Sequence, residues 1–141
     1  MHMASFQGTS RTNYVTVEDL DGLRKVLEPW PIEVQESDRT PGVVALFDRA
    51  DSGWPSLSTD ENGEDIELDV ATTIMPFVRE GEVLVLMEVG HEGRRYLHGS
   101  SDAWVRQGEQ VRHTRLELND IYQQAARDFG LDQSAIRYAE Y

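Results

Sequence analysis

The chain has 141 residues, 26 of them acidic and 13 basic, for a formal charge of −13. At 39% hydrophobic it can bury a core, which argues against global disorder, and its length suits one domain. The absence of cysteine excludes disulfides, thiol catalysis, iron–sulfur clusters and thiolate zinc sites, and no apolar run reaches the roughly 18 residues of a membrane span.

In chain order, residues 1–12 (MHMASFQGTSRT) lack periodicity and read as a disordered or tag-derived end, leaving 13–141 as a single α+β domain. Asn13–Val17 reads as a strand. Thr16 and Asp19 then have capping-box spacing, and Leu20, Leu23, Val26 and Leu27 recur at helical spacing up to Pro29, predicting a helix near Glu18–Glu28. Ile32–Glu36 and Val43–Asp48 read as strands separated by a turn-forming stretch. Asn62–Gly63 between Trp54–Thr59 and Ile66–Val70 predicts a hairpin with a type I′ turn. Val70, Ile74, Phe77 and Val78 give a helical stripe that Pro76 cuts short near Met75.

The second half reads as a meander of four strands: Glu82–Val89, Arg94–His98, Asp102–Gln107 and Gln110–Leu116, with Gly90–Gly93 as the first turn. A helix over Asp120–Phe129 follows, capped by Asn119 and ended by Gly130, with Ile121, Tyr122, Ala125, Ala126 and Phe129 on one face. The expected fold class is α+β: a largely antiparallel sheet with a C-terminal four-strand meander and two or three helices packed on one face.

Motif tests exclude more than they assign. Aligning Gly63 with the sixth position of a calcium loop puts Asp60 third, Asn62 fifth and Asp69 twelfth. Ser58 then stands where the first aspartate belongs, and the flanking helices are missing. The turn assignment also places His91 and His98 about 20 Å apart, at ~3.3 Å per residue, too far to share a zinc. No nucleophile elbow, phosphate loop or dinucleotide fingerprint occurs, so no catalytic residue, metal ligand or cofactor is assigned.

Charge is more informative. Glu18–Asp69 holds 15 acidic and 4 basic residues, whereas Arg94–Leu116 carries five arginines against Asp102 and Glu109. Twelve of the 13 basic residues are arginine, a bias that a GC-rich genome or a salt-adapted proteome would also produce. Tight turns would align Glu88, Arg95, Trp104 and His113 on one sheet face, beside Leu86, Leu97, Asp102 and Arg115. Val83, Val85, Met87, Val89, Tyr96, Ala103, Val105 and Leu116 would then form the core face.

Three classes of function follow. The leading expectation is a cytoplasmic, non-catalytic interaction protein: an inhibitor or regulator presenting a nucleic-acid-like acidic surface to a basic protein partner. Asp60, Glu61, Glu64, Asp65, Glu67 and Asp69 would carry that surface. Direct contact with nucleic acid or membrane is not expected, because phosphate binding needs basic surface. The alternative is a small-ligand-binding or sensor domain using Glu88, Arg95, Trp104, Arg106, His113 and Arg115. The third is an enzyme of unrecognised type.

Overall fold

The computed structural model describes residues 7–50, 52–93 and 96–139. The strands are β1 (Gln7–Thr12), β2 (Val15–Thr16), β3 (Ile32–Glu36), β4 (Val43–Asp48), β5 (Leu57–Thr59), β6 (Asp65–Glu67), β7 (Val83–Glu92), β8 (Tyr96–Gln107) and β9 (Gln110–Glu117). The helices are α1 (Leu20–Leu27), α2 (Val70–Thr73) and α3 (Asp120–Phe129), with 3₁₀ turns at Met75–Phe77 and Gln133–Ala135. Seven strands form one sheet in the order β2-β4-β1-β7-β8-β9, with β3 also on β4, and its strand pairs are antiparallel. β5 and β6 form a separate hairpin. The α+β class and the antiparallel C-terminal meander are therefore as expected. The helix at 20–27 and the strands Ile32–Glu36 and Val43–Asp48 also stand where the pattern puts them.

The loose end expected through Thr12 is corrected in its second half, since Gln7–Thr12 lies between β4 and β7. This strand has no apolar pattern because hydrogen bonds, not greasy contacts, seat it. Ser10 Oγ donates to Asp48 at 2.8 Å, and the Leu46 N–H donates to Thr12 Oγ1 at 2.9 Å. Asn13 ends the strand and continues the ladder with its side chain, its amide donating to Val83 O at 3.0 Å and its Oδ1 accepting from Val85 N at 2.8 Å. The cap of α1 is Asp19, whose Oδ1 accepts from Gly22 N at 2.9 Å, so the capping box imagined from Thr16 does not form.

The meander has three long strands rather than four. β7 runs on through Gly90 and His91, the chain turns after Glu92, and β8 passes unbroken through Gly99–Ser101. This register puts Leu84, Trp104 and His113 in one cross-strand row, Leu86, Asp102 and Arg115 in the next, and Glu88 opposite Ser100. It also sets His98 opposite Gly90, so the 20 Å separation from His91 is wrong; the two rings lie on opposite sheet faces instead.

The assignment of faces is inverted. Leu84, Leu86 and Trp104 are buried with Val15, Leu23, Leu27, Val44, Leu46, Leu68, Ile74 and Met75, under α1, α2 and the 3₁₀ turn. Val83, Met87, Val89 and Leu116, expected in the core, are exposed. β7 is apolar on both sides, so its alternation carries no information about which face is covered. Ile121 and Phe129 of α3 are exposed too, against the expectation of a helix buried on the sheet; only Ala126 of that helix is buried.

Candidate functional site

A cleft of about 560 Å³ opens on the covered face of the sheet, between the meander and the segment that carries the β5–β6 hairpin. Its floor is Leu86, Glu88, Ser100, Asp102 and Trp104; Trp54, Ser56 and residues 67–71 form the other wall. Alternation along β6 explains the second wall. Ile66 and Leu68 turn toward the core while Asp65, Glu67 and Asp69 stay exposed, and Glu67 and Asp69 reach the cleft. Asp69 also caps α2, accepting from Ala71 N at 3.1 Å.

Asp102 is the buried charge of the site, 7% exposed on the strand that crosses its floor. Its Oδ1 is 2.7 Å from His113 Nε2, and its Oδ2 accepts from Arg115 NH1 at 2.7 Å. The His113 ring stacks on Trp104 at 4.7 Å between centroids and 8° between planes. Arg115 also donates to Glu117 at 3.0 Å, and these bonds, Glu117 first and Asp102 next, hold its guanidinium pKa above the usual range. Further along the floor, Glu88 accepts from the Trp54 backbone N–H and pairs with His98 Nε2 at 2.9 Å, tying the irregular 52–56 segment to the sheet.

Residues drawn from the two separate sequence-derived groups thus share one cleft: Glu67 and Asp69 from the acidic hairpin, and Glu88, Trp104, His113 and Arg115 from the meander. Four of the six named hairpin positions fall elsewhere. Asp60, Glu61, Glu64 and Asp65 lie toward the hairpin tip, away from the cleft lining. The turn there is not type I′ over Asn62–Gly63. Gly63 N donates to Asp60 O, which centres the turn on Glu61–Asn62 and leaves Gly63 at φ 80°. Asp60 Oδ1 drives this by accepting from both Asn62 N and Glu64 N at 2.9 Å.

Arg106 does not join the site; its NH2 donates to Val78 O at 2.8 Å and pins the loop before β7. Arg95 lies outside the described residues. Sequence reasoning left Asp102 out of its site set, although an aspartate inside a strand beside a tryptophan is itself a signal, since strands are poor in Asp. Trp54 and Ser56 come from irregular chain and carry no periodic cue. Among the described residues no three acidic or histidine side chains converge to hold a metal, and no helix is long and apolar enough to cross a membrane. Comparison with family models, curated proteins and solved structures finds no match to this chain.

Proposed function

We propose that this chain is a non-catalytic interaction protein that docks a basic protein partner across its acidic hairpin and takes a cationic side chain of that partner into the cleft. One observation carries the reading. Glu67, Asp69, Glu88 and Asp102 line a single cleft, while the cation that lines it, Arg115, is already bonded to Asp102 and Glu117. The balance of the cleft is therefore negative, and an entering guanidinium or ammonium group would meet carboxylates on both walls. The hairpin extends that field outward through Glu61, Glu64 and Asp65, all exposed. The partner chemistry is that of a protein with a basic surface, such as one that itself handles phosphate.

The test uses oligoarginine and, as control, oligoglutamate peptides, with binding followed by calorimetry. Oligoarginine binding should weaken about tenfold or more from low to physiological salt, because screening acts over about 8–10 Å. A combined Glu61→Lys, Glu64→Lys, Glu67→Lys variant should lose it. Asp69→Asn, which keeps the helix cap but removes the charge, should weaken it in part. Oligoarginine binding unchanged in the reversed variant would overturn the reading.

A second reading, a small-ligand site, is favoured by the size and walls of the cleft. About 560 Å³ beside the Trp104–His113 stack falls within the ~300–1,000 Å³ usual for small-molecule sites. It predicts that single amino-acid amides bind as tightly as the peptides and that charge reversal at Glu61 and Glu64 is tolerated.

A further inference from the structure

The opposite sheet face is open among the described residues. Met87 and Val89 of β7, Leu97 of β8 and Leu116 of β9 are 59%, 56%, 64% and 67% exposed, and Leu118, just beyond β9, lies against Gly99 on the same side. Three strands thus present contiguous apolar surface, which a soluble chain rarely leaves to water without a use. Its charge is unlike the rest of the molecule. In a chain with twice as many acids as bases, the alternation of β1, β7, β8 and β9 brings no carboxylate to this face among the described residues, only Arg11 and Arg112.

The same chain carries a matching surface. Ile121 and Phe129 are 56% and 73% exposed and lie about 80° apart around α3, at ~100° per residue, with the exposed Asp128 next to Ile121 on the helix surface. This helix does not cover its own sheet. Its start is held at the sheet edge by the Leu118 N–H, which donates to Gly99 O at 2.8 Å. The C-terminal turn packs along α3 next to Phe129, with Tyr122 stacked on Tyr138 at 4.1 Å and accepting from the Ala139 N–H.

We propose that a second copy of this chain covers this face: α3 of each copy lies on the open sheet face of the other, in a reciprocal homodimer. Apolar meets apolar, and Asp128 beside Ile121 approaches a face whose charges are Arg11 and Arg112, so the contact adds no like-charge repulsion to an acidic protein. A reciprocal contact of this kind closes on two copies and leaves no free template for growth. It uses the face opposite the cleft, so both clefts stay open and the dimer stands or falls apart from the docking reading.

The natural absence of cysteine gives a direct test. Met87→Cys and Phe129→Cys are made singly and together, checked for unchanged circular dichroism, and treated with a flexible bis-maleimide cross-linker. The native chain should sediment as a dimer at micromolar concentration, and Met87→Glu or Phe129→Glu should each shift it to monomer. A covalent dimer should form when the two single-cysteine variants are mixed and not with either alone. Product from Met87→Cys alone would mean sheet against sheet, product from Phe129→Cys alone helix against helix, and each overturns the proposal. So would an intramolecular link in the double variant, which would put α3 on its own sheet, or a native chain that sediments as a monomer.

Discussion

Trp104 and His113 sit directly opposite each other on β8 and β9, their rings stacked with centroids 4.7 Å apart. Trp104 belongs to the buried core while His113 stands at the cleft, so this stack is where the stability of the fold and the shape of the site become one quantity. Trp104→Ala should cost about 3–5 kcal/mol, the usual loss for a large buried aromatic. His113→Ala should cost less, and the double variant should recover a coupling of about 0.5–1.5 kcal/mol for the stack. Urea titrations of the four proteins check this. A coupling of zero would mean that the rings are neighbours without mutual stabilisation.

Asp102 gives a second ordering. It holds both His113 and Arg115, whereas Arg115 also has Glu117. Removing the carboxylate leaves His113 without that partner while Arg115 keeps Glu117; removing the guanidinium leaves the buried Asp102 still bonded to His113. Asp102→Ala should therefore destabilise by about 1–3 kcal/mol, at the lower end because both partners are partly exposed, and Arg115→Ala by less. Equal losses for both would refute the asymmetry.

Much of the fold was legible wherever a strand or helix had one apolar side. Leu20, Leu23 and Leu27 announce α1, and Val43–Asp48 announces β4. It failed where burial is reached by other means. β1 is seated by Ser10, Thr12 and Asp48, so its hydrophilic sequence looks like a loose end. β7 is apolar on both sides, and its alternation could not say that Leu84 and Leu86 face the core while Val83, Met87 and Val89 do not. The site was half legible for the same reason. Local charge marks Glu67 and Asp69, and strand pairing marks the Trp104–His113 and Asp102–Arg115 rows. That these meet across one cleft depends on how residues 52–71 fold over the sheet, which no short-range pattern encodes.

The C-terminal 3₁₀ turn carries a prediction in pH. Asp132 accepts from Ser134 N at 2.9 Å and Ser134 Oγ at 2.8 Å, and these bonds favour the carboxylate and lower its pKa below 3.8. A depressed carboxylate contributes stability that is present above its unfolded pKa and lost as pH falls through the folded value. The turn should therefore hold through mildly acid solution and loosen only below 3.8. An NMR titration of the Ser134 amide should show a midpoint under that value, and Asp132→Asn should remove the transition. A midpoint at or above it would mean that the bonds do not persist in solution.

The contrast between Leu23 and Phe129 tests the inverted burial most directly. Both lie on predicted apolar stripes, yet Leu23 is 1% exposed under the sheet while Phe129 is 73% exposed. Leu23→Ala should cost about 2–5 kcal/mol at any protein concentration, because it opens a cavity in the monomer core. Phe129→Ala should fall within about 0.5 kcal/mol in dilute solution, where the side chain meets mainly water. If α3 is covered by a second copy, the Phe129 effect should grow as protein concentration rises, since only the dimer buries that ring and mass action links its burial to stability. Thermal melts over a hundredfold dilution series separate the cases. A large loss for Phe129→Ala that is independent of concentration would place the ring in the core of its own chain.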